Sequence, residues 1–503
     1  MRKLYYSLIS LLFILFLTQE LYALDVSGSV TTNTIWGPEQ VNVTDDVTIS
    51  ASVTIAAGTR IVVADQTMIT VTSAGSIQAN GVSGSEIVFT ADNPNTGWRG
   101  IYFNGGTDDN PSSSFEYTTF EYGNADGSTA STNSGGAVSI SYHSDISFVN
   151  CHFENNQAAT YGGAINSAYS QLILENCTFK SNQAVGFDGG GAIHIVNSDG
   201  HELRIENCEF YNNSASTGGA IQADFAGGLI VSGSVFANNE SYFGSAVTIS
   251  QSSSNDISFV ANTIVNNLAN NTSGCAIRVS AYTERLSFVS NIVFGNENGS
   301  GEAMAIVFDN EPYTPVFQNC LIEGGQSSVS GLPASYTWTE MVDSDPSFVS
   351  TSSDVGLAAD GSLADWQLSD QSPCINAGLA DVSGLGLPAY DLAGNARVQQ
   401  GRIDMGAFES SFVPTSIVNR LDNVDFKLWY RRDAGQIVVR TDDNQYFTGA
   451  LYNITGALVD DKRPASFQNQ MIFSAAGLNR GIYVVTLFRP DGKALKVAKV
   501  VVD

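Results

Sequence analysis

"GGAIHIVNSDGHELRIENCEFYNN", Gly190 to Asn213, opens on small residues, alternates apolar with polar, and closes on a cysteine, an aromatic and paired asparagines. The chain returns to this wording. The small-residue phrase recurs as GGAV (135–138), GGAI (162–165), GGAI (190–193), GGAI (218–221), GSAV (244–247), GCAI (274–277) and a degenerate AMAI (303–306), at steps of 26 to 30 residues. In phase with it run FVNCHFENN (148–156), LENCTFKSN (174–182), IENCEFYNN (205–213), VSGSVFANN (231–239), FVANTIVNN (259–267), FVSNIVFGN (288–296) and FQNCLIEGG (317–325). Self-similarity at a fixed period outranks local propensity, because each repeat is a unit that buries its apolar face only against its neighbours.

Aligned, the repeats form columns. One is Phe153, Phe179, Phe210, Phe236, Ile264, Val293 and Ile322; another, three residues on, is Asn156, Asn182, Asn213, Asn239, Asn267, Asn296 and then Gly325. Short alternating strands bounded by Gly, Asn and Ser leave no room for helices. The expected fold is all-β: a right-handed parallel β-helix, a pectate-lyase-like solenoid whose like side chains stack about 4.8 Å apart. The Phe column fills the interior. The Asn column is expected at a turn, tolerating left-handed backbone and bonding to the next coil. A propeller blade needs about 40–45 residues, too many for this step. An antiparallel sandwich gives no reason for identical columns in phase.

Residues 41–103 read as less regular N-terminal coils of the same solenoid, with 24–40 and Trp36 as the cap over its exposed edge. Four of the six cysteines, Cys151, Cys177, Cys208 and Cys320, share one column with Ser234, Asn262 and Asn291, while Cys275 and Cys374 lie elsewhere. With no C-x2-C spacing for a metal, the column reads as a ladder of small, inward, free thiols, with a disulfide among the stacked Cys151, Cys177 and Cys208 as the alternative that secretion leaves open.

The first 23 residues, with Arg2 and Lys3 ahead of the apolar run Leu8–Leu17 and a small Ala23, read as a secretory signal peptide. The formal charge is −28. From Leu24 to Ser410 there are 8 basic and 40 acidic residues, a net −32; from 411 to 503 there are 12 and 9, a net +3. That contrast sets a domain boundary near 410–416. The negative body excludes nucleic acid as a partner. Calcium is the one cofactor it leaves in play, and a monomer is expected.

Three resemblances follow from these residues. The in-phase GGA[IV] and F-x-x-N phrases over 135–325 resemble the repeats of polymorphic outer-membrane proteins, which implies an adhesin-like passenger; that family's membrane barrel has no counterpart here. "DWQLSDQSPCINAGL" (365–379) and "DLAGNARVQQGRIDMGAFE" (391–409) resemble the choice-of-anchor segment of bacterial surface β-helix proteins. "LYNITG" (451–456), "GLNRGIY" (477–483) and the closing "KVVV" (499–502) resemble the C-terminal sorting domain of type IX secretion cargo. The last implies a small immunoglobulin-like β-sandwich over 411–503, contact with the type IX machinery, and location outside the cell or on the outer-membrane surface of a Gram-negative bacterium.

Two functions stand. The first is a secreted or cell-surface adhesive or structural protein that binds glycans or partner proteins along its shaft. The second is a carbohydrate-active enzyme, a polysaccharide lyase or hydrolase, which needs two or three carboxylates and a base facing one groove. The candidates are Asp188, Asp224, Asp256 and Asp309, the basic Lys180, Arg204, Arg278 and Arg285, and the histidines His143, His152, His194 and His201, of which His194 and His201 are close enough in the chain to meet. Their offsets do not recur, so none is assigned a catalytic role. Asp391, Gly394, Arg397, Asp404, Gly406 and Glu409 invite a calcium or catalytic reading; the plainer one pairs Asp404 and Glu409 with Arg397 and Arg402 to close the last coil.

Overall fold

Each repeat makes one circuit. Taking Ile165–Ala168 as a first strand, the chain turns into a second, Leu172–Glu175, then a third, Thr178–Lys180, and a two-residue fourth, Gln183–Ala184. Each pairs in parallel with its counterpart one repeat on: Ile165 with Ile193, Leu172 with Leu203, Phe179 with Phe210. The computed structural model describes residues 23–411 and 426–502, apart from 107–109, 144, 187–188, 197–202, 225–227, 251–252, 281–282, 310–313, 400, 433, 442–447, 455–456, 463–469 and 489–493. The signal-peptide segment up to residue 22, His201 and Asp188 lie outside the described residues. The chain divides into two units, the second starting at Phe412.

The first unit is a right-handed parallel β-helix. The phenylalanine file is continuous and internal: Phe153–Phe179, Phe179–Phe210 and Phe210–Phe236 stack at 4.7, 4.9 and 4.6 Å with rings within 6° of parallel. It extends upstream through Phe120 and Phe89, at 4.9 and 5.1 Å. The coils therefore begin well before the GGA phrase. Leu24–Val30 already pairs in parallel with Gln40–Ile49, so the proposed cap region is itself part of the stack, and Trp36 is buried in its core. The first glycine of the phrase takes left-handed backbone (Gly162, φ 60°), and the second packs so closely on the next coil that a Cβ at Gly163 would meet the Gly191 and Gln183 backbones.

The Asn column departs from the reading above. Asn156, Asn182, Asn213, Asn239, Asn267 and Asn296 are buried and point inward. The left-handed residue is the one before each of them: Asn155, Ser181, Asn212, Asn238, Asn266 and Gly295, with φ of 51–66°. One residue turns the chain, which aims the next side chain into the core. A second left-handed column, Asn150, Asn176, Asn207, Gly233, Ala261, Ser290 and Asn319, closes the second strand. In the upper coils these two turns are made by Tyr117 (φ 44°) and Tyr122 (φ 57°), and the turn after the first strand by Tyr142 (φ 50°) and Tyr169 (φ 54°). A bulky side chain there costs about 1–2 kcal/mol, because its Cβ crowds the following carbonyl.

Residues 343–409 do not close the last coil. They run back along the flank as a strap. Asn207 Nδ2 donates to the Tyr390 carbonyl, Asn212 Nδ2 to Ala359, Asn238 Nδ2 to Asp354 and Gly356, and Asn319 Nδ2 to Ala377. Beneath the strap the third strands turn apolar on their outer side as well, at Tyr211, Val235, Ala237, Val265, Ile292 and Leu321, and these pack against Trp366, Leu368, Cys374 and Met405.

Among its described residues the second unit has seven strands in two antiparallel sheets of three and four. Ile437, Val439 and Phe473 from one sheet share a core with Leu451, Val485, Leu487 and Val500 from the other.

Candidate functional site

The outer face of the first strands carries the most elaborate polar cluster. Register places Asn166, His194 and Gln222 in adjacent coils. His194 Nδ1 lies 2.8 Å from Asn166 Oδ1 and Nε2 lies 3.2 Å from Asp224 Oδ2, while the Tyr161 ring stacks on the imidazole at 4.4 Å. Gln222 Nε2 donates to Asp224 Oδ1 at 2.6 Å and to Ser250 Oγ at 3.0 Å. Burial alone would raise the Asp224 carboxyl, but hydrogen bonds from His194, Gln222 and Ser250 hold it below its ordinary range. Both ring nitrogens are engaged, so no lone pair is presented to a substrate. Further along the face, Arg278 grips Asp309 through Nε and Nη2 at 2.6 and 2.9 Å and lies 4.3 Å over the Phe243 ring.

The other two described histidines do not join this cluster. His143 is buried edge-on against Phe103 at 5.2 Å, and His152 faces solvent.

The strap holds a buried charge cluster. Asp391, Arg397, Asp404 and Glu409 are all under 5% exposed. Arg397 Nη1 lies 3.7 Å from Glu409 Oε1, and its Nη2 donates to Asn207 Oδ1 on the shaft. Arg402 bonds the Gly378 carbonyl instead of a carboxylate. Asp391 accepts the Glu409 and Asn395 amides, and Asp404 accepts those of Asn376 and Ser410. Glu409 Oε2 accepts only the Asp404 amide, and its Oε1 has no hydrogen bond. Burial, with Asp404 beside it, pushes Glu409 up to about 8. The cluster fastens the strap to the shaft. Among the described residues no three His, Cys, Asp or Glu side chains converge to hold a metal ion.

The cysteine column does ladder work. Cys151, Cys177 and Cys208 are free and buried, and their thiols point at the carbonyls of Phe115, Phe148 and Leu174 one coil up. Asn262 and Asn291 make the same link through Nδ2 to Val231 and Phe259. Burial pushes Cys275 up to about 12 and Cys320 to about 11, which removes their nucleophilic form.

Where the strap crosses the second strands, Leu385 and Leu387 pack with Val260 and Val289. A cleft of about 380 Å³ remains beside them, lined by Ile230, Ser258, Ser287, Val316 and Leu385. Sequence reasoning missed this whole region. The signal was in the third strands: Val235-Phe236-Ala237 and Thr263-Ile264-Val265 are buried at all three positions, where His152-Phe153-Glu154 alternates.

No family model matches the chain, and no curated protein matches it.

Proposed function

We propose that the chain is a secreted or cell-surface binding shaft, adhesive or structural, that takes glycans or partner proteins along its side. The observation that carries this reading is how the reactive side chains are spent. His194 is held between Asn166 and Asp224, Arg278 by Asp309, and Arg397 is enclosed with Glu409. Hydrolysis or β-elimination needs a base and carboxylates open to one groove. Here the regularity serves hydrogen-bonded columns that stiffen a rod.

The tail unit's resemblance to type IX cargo supports export through that machinery and residence at a Gram-negative outer surface. The test is a panel of insoluble and soluble polysaccharides incubated with the full chain, read as bound protein and as new reducing or unsaturated ends. Binding without new ends is the expected result. Cleavage of any member overturns the reading in favour of the lyase or hydrolase.

A further inference from the structure

The outer face of the second strands is divided. In the lower coils it is apolar at Val260 and Val289 and lies under the strap, with Ser232 Oγ donating to the Gly386 carbonyl at 3.1 Å. In the upper coils no described strap residue bonds it, and it is polar. Register aligns Gln78, Ser114, Ser147 and Ile173 in one outward row, and Asn80, Glu116, Val149 and Glu175 in the next. Glu116, Glu175 and Asn80 are exposed. No Lys or Arg occurs in these two rows before Arg204.

Tyrosines bound this open half on both edges. Tyr142 and Tyr169 stand where the chain enters the second strands, stacked at 4.7 Å with rings 13° apart, and Tyr142 is 45% exposed. Tyr117 stands at the far edge, where the strand ends, and Asn150 and Asn176 continue its column. A four-residue strand and the two or three residues ahead of it lie between the edges. Tyr117, like Tyr122, sits in left-handed backbone at a position its column otherwise fills with Asn, Ser, Ala or Gly, and Tyr142 and Tyr169 sit in left-handed backbone too. The turn itself does not call for an aromatic ring, so the ring answers to something else.

We infer that this open half-face, from Gln78 to Glu175, is a binding trough for a neutral polysaccharide; the inference rests on the glycan-binding reading above and narrows it. Pyranose rings offer an apolar C–H face to tyrosine and a rim of hydroxyls to amides, hydroxyls and carboxylates. The trough supplies the first at Tyr142 and Tyr169 and the second at Gln78, Ser114, Ser147, Glu116 and Glu175. Exposed carboxylates bordered by a cation only at the lower end, at Arg204, on a body of net −32, repel a polyanionic chain. The lower coils show what the column amides do when a chain lies across them: Asn207 and Asn319 bond its carbonyls. Asn150 and Asn176 hold the same positions higher up.

The test is calorimetric titration of the full chain with neutral hexasaccharides (gluco-, manno- and xylo-linked) and with a hexagalacturonate. Wild type is expected to bind a neutral hexamer and not the anionic one. Tyr142→Asn, which installs the residue the neighbouring turn columns prefer, is expected to weaken binding about tenfold while leaving the melting temperature unchanged or raised. Tyr142→Phe is expected to retain binding. Neutral binding that Tyr142→Asn leaves intact, or a melting temperature that falls with it, overturns the trough, since the ring then serves elsewhere or only in packing. Preference for the anionic hexamer overturns the trough and leaves the adhesive reading standing. If no member of the wider panel binds, the glycan reading falls with it.

Discussion

Asn182 Nδ2 donates to Asn213 Oδ1 at 2.9 Å, and the Asn182 backbone amide donates to the same oxygen at 3.0 Å. The other proton of that Nδ2 reaches back to the Phe153 carbonyl at 2.9 Å. One side chain thus joins three successive coils, and the pattern repeats from Asn156 to Asn267.

Breaking the ladder in its middle should cost more than breaking it at its end. Asn213→Ala leaves two Asn182 donors and the Phe179 carbonyl unpaired in the core, at about 3 kcal/mol. Asn156→Ala, at the first rung, leaves only the Gly123 amide and the Phe120 carbonyl unpaired and should cost less, about 2 kcal/mol. Urea unfolding followed by circular dichroism compares them; equal losses would mean the rungs do not act in series.

Gly163→Ala should be among the most damaging single-methyl changes. The added Cβ meets backbone of Gly191 and Gln183, which cannot move without separating two coils. A loss of roughly 3 kcal/mol is expected, against about 1–2 kcal/mol at Gly84, where a Cβ meets nothing within 4 Å and only the left-handed backbone (φ 81°) resists it. Melting temperatures of the two variants decide it.

Alkaline pH should loosen the strap. Three carboxylates surround one guanidinium, and Glu409, the one with a bare oxygen, is raised to about 8 from an unfolded value of about 4.3. The native state binds the extra proton, so the stabilising contribution is whole below about pH 4 and fades as pH rises through 8. Trp366, a strap residue buried against the third strands with its Nε1 on the Gly361 carbonyl, reports this by fluorescence. Protease sensitivity of 343–409 should rise between pH 6 and pH 9 in wild type and stay flat in Glu409→Gln.

The cysteine column should be silent to thiol reagents and tolerant of serine. All six thiols are buried, so labelling at pH 8 should require denaturant. Cys208→Ser should change stability by less than about 1 kcal/mol, because Ser234 already fills the same column and its hydroxyl bonds the Ser232 carbonyl. Cys208→Leu, too large for the column, should destabilise the chain by more than any serine replacement.

The repeat alone determined the solenoid, because stacking identical units is the only way each can bury Phe153, Phe179 or Phe210, and the period equals one circuit. It marked a column of asparagines that bond from coil to coil, but in sequence that column reads as the turning residue, whereas the residue before each turns the chain and the column itself points inward. That choice depends on backbone φ, which the pair Asn212-Asn213 does not disclose. The strap was decided only by the tertiary structure. Its contacts join Asn212 to Ala359 and Asn207 to Tyr390, 147 and 183 residues apart, and no periodicity links them. The third strands announced that both faces would be covered, but what covered them depends on where a non-repeating segment finds apolar surface. The division of the second-strand face into a covered half and an open half follows from that same docking.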